Sequence, residues 1–407
     1  MWNTILMGLR NLRRQLARTI LTLCALATGS FLLVFVVGLN EGTYADMTEM
    51  ATSTWNGQLQ VLHADYHESP SMFEAVEDPA PIMAKLEADP DVLGVSARIE
   101  AAGLFSVGNR TTGGALTGVI PGREEKVSTL ANTVKEGSFL GKTKDPEALP
   151  IVIGDGLARR LEVSVGGEVI YMGQAADGST AAEAFEVVGL IDSGIDEMDA
   201  SMALIRLEDA QELFVLNKRV HRVVARTTSA YTVDKIKKRV DVPEPLVLST
   251  WEELMPEVAT GIEEDRKGGS ILVFVIMLMV MLGTVNTLMM SVFERTKEFG
   301  VMKALGTPRW QIVSMIVWEG VWMAVLGVGL GVVLAALLTT YLHGVGVQLS
   351  DQPFEFGGMS ISTIHPANTM LGTVIYPSIL VIASILGAIW PAWRASNLDP
   401  VAALREL

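Results

Sequence analysis

What this sequence lacks narrows its chemistry before any motif is read. It has a single cysteine, Cys24, so no intramolecular disulfide can form and cysteine-based zinc sites are excluded. No G-x-x-x-x-G-K-[ST] occurs, which removes the phosphate-cradling loop with its lysine, and no G-x-S-x-G is present to build a nucleophile elbow. Aromatic residues make up 6% of the chain, too few for the girdles of a membrane β-barrel. Charged residues are 19% against 49% hydrophobic, and the mean hydropathy is +0.37. A chain of 407 residues this apolar places part of itself in lipid. Its 38 Gly and 20 Met suit helices packed in a bilayer.

Charge of one sign is scarce in one region and abundant in another. Residues 40–267 carry 21 Lys and Arg against 39 Asp and Glu, whereas the remainder is mildly basic. An acidic domain is thus joined to a membrane part. Nucleic acid is excluded as a partner of that domain, because phosphate binding needs a positive face.

Ile20 to Leu39 is free of charge, and at about 1.5 Å per residue it matches a hydrocarbon core of about 30 Å. Ile271 to Phe293 and Met370 to Trp390 are further spans, and Ile312 to Leu342 is a longer run that includes Glu319. The first run is too long for the apolar core of a signal peptide, and Leu23 is too bulky for a lipoprotein cleavage box at Cys24. The short flanks set orientation by the positive-inside rule. Arg10, Arg13, Arg14 and Arg18, then Arg295, Lys297, Lys303 and Arg309, then Arg394 and Arg405 lie inside; the link from His343 to Asn368 has no Lys or Arg and lies outside. Six of eight Trp residues then fall near the cytoplasmic face.

The predicted fold class is an α-helical membrane protein of four transmembrane helices, with a large α+β extracytoplasmic domain between helices 1 and 2. Residues 1–18 form an amphipathic helix on the cytoplasmic face and 19–40 the first transmembrane helix. Residues 41–267 form the outside domain, with about 108–215 inserted as a subdomain. Residues 268–407 hold spans at about 270–293, 312–342 and 370–391. In the outside domain Gln58–Leu62, Val92–Val107, Pro150–Ile153, Glu168–Met172, Phe185–Ile191, Met202–Ile205, His221–Arg226 and Leu246–Leu248 read as strands. Pro79–Glu87, Gly154–Leu161, Leu207–Phe214 and Thr232–Val240 read as helices, and Trp251–Lys267 as a polar helix running into the second span.

After the second span, Phe299, Met302 and Leu305, with Val301, give one apolar face at helical spacing, while Glu294, Arg295, Lys297 and Glu298 give a charged one. Gly306-Thr307-Pro308 stops that helix. The pattern fits an interfacial helix that turns the chain back, and also a knob that docks on a cytoplasmic partner. The run Glu294-Arg295-Thr296-Lys297-Glu298-Phe299-Gly300-Val301-Met302-Lys303-Ala304-Leu305-Gly306 resembles the signature of the FtsX-like permease family, which includes MacB-type and LolC/LolE-type transporters. Pro391-Ala392-Trp393-Arg394 through Arg405 is similar to that family's C-terminal signature, and Gly154 to Leu161 and Phe185 to Leu213 to its periplasmic core.

The resemblance covers nearly the whole chain and implies a permease subunit of a type VII, mechanotransmission-type ABC transporter, with a core of porter and sabre parts. It implies that residues 294–305 are a coupling helix, Glu294, Arg295, Glu298, Phe299, Met302, Lys303 and Leu305 meeting a separate cytoplasmic ATPase. MacB proteins carry their ATPase before the first span, and here there is no room for one ahead of Ile20, so the chain is expected to be non-catalytic. No cofactor is expected on it; ATP and Mg belong to the partner. The other expected partners are a second permease, as homo- or heterodimer, a periplasmic carrier or adaptor protein, and membrane lipids. The expected location is the bacterial inner membrane, both termini cytoplasmic. Lipoprotein release is the leading function; efflux with an adaptor, or a scaffold that activates a cell-wall hydrolase, are the alternatives.

Other candidates are weaker. His63 and His67, with Asp65 and Glu68, lack the H-E-x-x-H order, and no metal is assigned to them. Glu319 is expected to pair with Arg394 or Lys303, Asn286 to hydrogen-bond between helices, and Gly327, Gly329 and Gly331 to permit close helix packing. A cargo cleft is expected between the first and second spans of the two partner permeases, where Ala25, Ala27, Gly29 and Ser30 face Met277, Met279, Met281 and Gly283, since Met adapts to irregular apolar shapes.

Overall fold

The computed structural model describes residues 16–68, 71–348, 354–356, 359–361 and 363–397. The expected helix over residues 1–18 and the tail signature beyond Asn397 therefore lie almost wholly outside the described residues. The chain divides into two compact units, one of Met1–Asp46, Gly261–Ser350 and Thr363–Leu407, the other of Met47–Thr260 and Asp351–Ser362.

In chain order the longer elements are α1 (Leu16–Ala51), β1 (Leu59–His63), α2 (Pro79–Glu87), β2 (Val92–Val107), β3 (Arg110–Val119), α3 (Pro121–Val127), β4 (Val134–Gly137) and β5 (Leu149–Gly154). Then come α4 (Asp155–Leu161), β6 (Glu168–Gln174), β7 (Thr180–Ile191), β8 (Met202–Arg206), α5 (Leu207–Leu213), β9 (Arg222–Thr227), α6 (Val233–Arg239) and β10 (Leu246–Thr250). The chain continues as α7 (Trp251–Leu254), α8 (Pro256–Glu294), α9 (Thr296–Ala304), α10 (Arg309–Val345) and α11 (Tyr376–Ser396).

The second unit is built on one mixed sheet whose order is β10-β1-β9-β2-β3-β8-β5-β7-β4, with β6 pairing β2 and β7. Its organising element is β2, a strand of 16 residues. The first half of β2 pairs with β9 and the second half with β3 and β6, so one strand carries two sets of partners. Gly94 and Gly103 do not interrupt it. At Gly103 the missing side chain makes room for the Tyr171 ring, which a Cβ there would approach to 2.4 Å. Phe105 then packs tilted against Tyr171 at a centroid separation of 5.2 Å, and Tyr171 meets Phe214 edge to face at 5.8 Å. Strand β3, rich in Thr and Gly, was not expected; it forms because Gly108 takes φ +61° and closes a hairpin onto β2.

Arg98 and Glu124 are both fully buried in this unit, joined by Nη2 to Oε1 at 2.5 Å. The Arg98 guanidinium also lies 3.7 Å from the Trp55 ring centroid and donates to the Trp55 carbonyl at 2.7 Å. The helix expected over Trp251–Lys267 is interrupted, because Met255 precedes a proline and is forced out of the helical region to φ −129°, ψ 63°. Helix α8 starts only at Pro256 and runs 39 residues to Glu294.

Among the described residues four helical stretches are long and apolar enough to cross a membrane: Leu16–Asn56, Pro256–Glu294, Arg309–Val345 and Leu371–Ser396. Their packing follows the small residues. A Cβ on Gly327 would come within 2.6 Å of Leu26, and one on Gly331 within 2.3 Å of the Ala27 carbonyl, so α10 and α1 touch backbone to backbone at these two glycines. Gly329, on the other side of α10, meets open space. Leu26, Leu288, Met323, Val328, Leu380 and Ala388 form one core of the bundle.

Candidate functional site

Helix α8 ends at Glu294, Arg295 leaves the helical region at φ −103°, ψ 15°, and α9 follows as a separate short helix. Gly306 at φ +88° and Pro308 then start the return into α10, the break that the Gly-Thr-Pro signal implies. One side of α9 is anchored in its own bundle. Phe299, 1% exposed, packs among Val292, Ile312, Met315 and Ile316, with Ala392 and Ala395 of α11. It was expected in the face that meets a partner; it is instead the residue that seats α9, because the i, i+3 stripe faces the nearest apolar surface, which is the chain's own. Met302 is half-buried against the same cluster, and Lys303 donates to the Ser396 carbonyl at 3.0 Å. The outward apolar side chains are Val301, 46% exposed, and Leu305, 82% exposed.

The charges of this segment are organised around Arg295. Its Nη1 lies 3.1 Å from Oε2 of Glu319, and its Nε 3.2 Å from Oε2 of Glu298. Arg18 of α1 pairs with Glu294. A cavity of about 180 Å³ opens among these groups, lined also by Thr22, Thr287 and Ser291. Glu319 thus meets Arg295, where Lys303 or Arg394 was expected. Arg394 is turned over the rings of Phe293 and Trp390, at 5.8 and 5.9 Å. Glu319 lies ten residues into α10, about 15 Å from its start, and that depth brings it to the end of α8 rather than to the last turns of α11. The arrangement joins α8, α9 and α10 through one guanidinium and α1 to α8 through a second. Arg18 and Glu294 are 276 positions apart, and no local spacing announces their contact.

A second polar clasp ties α1 to α8 at the other end. Tyr44 donates to Asp265 at 2.6 Å and Arg266 meets Glu41 at 3.1 Å. Between the clasps, the expected cleft residues are occupied by packing within the chain. Gly29 faces Val280, whose Cγ2 would be 2.3 Å from a Cβ there; Met277 packs into two core clusters; Met281 lies against Gly387. Helical spacing sets them on the inner side of α8 with Val273, Ile276 and Thr284. Among the side chains of α8 that remain open are Phe274, Leu278, Met279 and Leu282.

Among the described residues, four helices long and apolar enough to cross a membrane accompany a mixed-sheet unit and a short charged helix. Two family models match: the FtsX-like permease C-terminal region over residues 270–400, and the MacB-like periplasmic core domain over residues 19–242. The second spans more than half of the chain, and the protein belongs to the FtsX-like permeases that carry a MacB-like periplasmic core, a family of ABC transporter permeases. The lipoprotein-releasing system transmembrane protein LolC of Xylella fastidiosa is 23% identical over 99% of this chain and 98% of its own. The corresponding LolE of Haemophilus influenzae is 23% identical, covering 84% of this chain and 85% of its own. The macrolide export ATP-binding/permease protein MacB 2 of Yersinia pestis is 22% identical over 98% of this chain and 57% of its own. Among solved structures, the periplasmic region of MacB from Actinobacillus actinomycetemcomitans aligns with 52% of this chain and 95% of its own, at 12% identity and a TM-score of 0.36.

Proposed function

We propose that this chain is the permease subunit of an ATP-driven transporter that releases lipid-anchored cargo, lipoproteins above all, from the outer leaflet of a bacterial inner membrane. The observation that supports this most is the full-length similarity to LolC, which takes in the four spans and the core domain together. In this reading both termini and α9 are cytoplasmic, residues 41–267 and 343–368 lie outside, and residues 108–215 are the sabre part. A separate ATPase seats on α9 through Val301, Leu305, Lys297 and the Arg295 charge cluster, and supplies ATP and Mg chemistry that this chain lacks. A second permease completes the unit, and a periplasmic carrier receives the acyl chains. Those chains would lose about 0.8 kcal/mol per CH₂ on leaving lipid, so the step needs ATP and a receiving cavity. The similarity over 98% of this chain to a MacB protein favours efflux with an adaptor as the second reading.

Photocrosslinking tests the cargo. A crosslinker at Met279, which is 68% exposed on α8, should capture acylated protein before ATP is added and release it afterwards; one at Met281, turned inward, should capture little. Capture of phospholipid alone at Met279, unchanged by ATP, would favour efflux.

A further inference from the structure

His63 closes β1, opposite Leu246 of β10. The fold brings to it a residue that sequence spacing does not connect, Glu74, whose Oε2 lies 2.7 Å from His63 Nδ1; Asp65 Oδ2 lies 3.7 Å from the same nitrogen. One donor atom from each of the three residues falls within 4.8 Å of the others. His63 Nδ1 also accepts the Asp65 backbone N–H at 3.4 Å, and with its lone pair used there it has no proton to offer the Glu74 carboxylate 2.7 Å away, a contact that a cation would relieve. A proton on Nδ1 instead would serve Glu74 and leave the Asp65 carboxylate at 3.7 Å, beyond hydrogen-bond reach. A metal ion would satisfy all three donors with movements of the order of 1 Å, at bond lengths of about 2.0–2.2 Å.

The surroundings point independently to a cationic ligand. His63 and Glu74 line a cavity of about 490 Å³, with apolar walls that include Phe73, Ile82 and Leu246. Its other ionisable lining residues are Glu77, Asp78, Asp241 and Glu244 against the single cation Lys85. The Lys85 ammonium is directed to the Asp241 carbonyl. The cavity is therefore strongly acidic at the point where the imidazole sits.

We propose that His63, Asp65 and Glu74 bind a divalent transition metal of the zinc class, which clamps the loop 71–78 onto the end of β1. One imidazole and two carboxylates suit zinc or manganese better than magnesium, which prefers oxygen and water. Three protein donors leave a tetrahedral ion one open position. The loop is otherwise held at its far end, where Val76 is buried and exchanges two backbone hydrogen bonds with Val220, while Glu74 N–H bonds to the Ser71 carbonyl. No metal was expected from the His63 and His67 spacing, because the third donor comes from a segment that only the fold delivers. The site stands apart from the transport reading and holds whatever the cargo is.

The test titrates zinc alone into the chelator-stripped full chain in detergent and follows both stoichiometry and the thermal midpoint. Glu74→Gln and His63→Gln should each lose one zinc equivalent, or weaken it about ten-fold or more, and should lose the zinc-dependent rise in midpoint. His365→Gln, which alters a different histidine beside Asp46, should keep that equivalent. If Glu74→Gln and His63→Gln lower the midpoint in chelator yet bind zinc and respond to it as the parent does, the group is a protonated hydrogen-bonded pair only and the proposal fails. It also fails if the parent shows no zinc equivalent that these variants lack.

Discussion

The two units of this molecule each hold an arginine–glutamate pair, and the two pairs differ in what surrounds them. Arg98 and Glu124 are 0% exposed, meet through two nitrogen–oxygen contacts at 2.5 and 3.3 Å, and are capped by the Trp55 ring. Arg295 and Glu319 are 12% and 11% exposed, meet at 3.1 Å, share the guanidinium with Glu298 and border a polar cavity. In the first pair, desolvation makes any rearrangement expensive, so the pair fixes one conformation. The second has room, polar neighbours and an alternative partner, and it lies where three helices change direction. The same two residue types thus serve a rigid core in one unit and an adjustable junction in the other.

Breaking the dry pair should have the largest effect. Glu124→Gln or Arg98→Met alone should cost about 3–5 kcal/mol, because each leaves a buried charge without its partner. The double variant Arg98→Met with Glu124→Leu should recover much of that loss. Chemical denaturation of the full chain, following the folded signal of the sheet unit, checks both. Equal losses in the single and double variants would show that packing rather than charge carries the effect.

A smaller effect belongs to His221, fully buried against Tyr66 at a ring separation of 5.2 Å. Burial pushes its imidazole down to about 4 from the ordinary value near 6.5, and its Nδ1 accepts the Glu100 N–H at 3.0 Å. Between pH 6.5 and 4 the unfolded chain binds the extra proton, so this contribution is complete above pH 6.5 and is lost as pH falls towards 4. The expected loss across that window is about 3 kcal/mol, and His221→Asn should remove the corresponding slope from a plot of stability against pH. An unchanged slope would mean that other groups govern acid sensitivity.

The wet pair should matter least for stability and most for coupling. Glu319→Gln should cost about 2 kcal/mol or less, because water in the adjoining cavity can serve the Arg295 guanidinium. With the ATPase subunit present, the same variant should still bind it but should weaken the dependence of hydrolysis on cargo, whereas Leu305→Asp should weaken binding itself. Co-purification and ATPase assays on reconstituted complexes separate the two. Loss of binding in Glu319→Gln, with none in Leu305→Asp, would move the docking surface away from the outer face of α9.

Much of this architecture was legible in the residues. The four long helices and the strands from β1 to β10, apart from β3 and the short β4, follow from apolar length and alternation, which act over a few neighbouring positions. The segment from Glu294 to Gly306 was likewise readable, both as a short helix and as a family signature. Its orientation was not. An apolar stripe on a helix announces that it will be covered, without saying by what, and Phe299 found Ile312 and Ile316 of its own chain. Met277 and Met281 of α8 are partly covered within their own chain, Met277 by two core clusters and Met281 by Gly387.

Local chemistry along the chain settled which long stretches are helices, which of them are apolar enough to cross a membrane, where the acidic region begins and which family motif is present, because hydrophobic length, charge sign and turn residues act over one to twenty positions. Tertiary structure alone decided that Arg295 and not Arg394 meets Glu319, that Arg18 reaches Glu294, that Arg98 meets Glu124 and that Glu74 arrives at His63. Each of these contacts joins residues on different elements, and its existence depends on the path of the backbone between them, which no spacing in the sequence encodes.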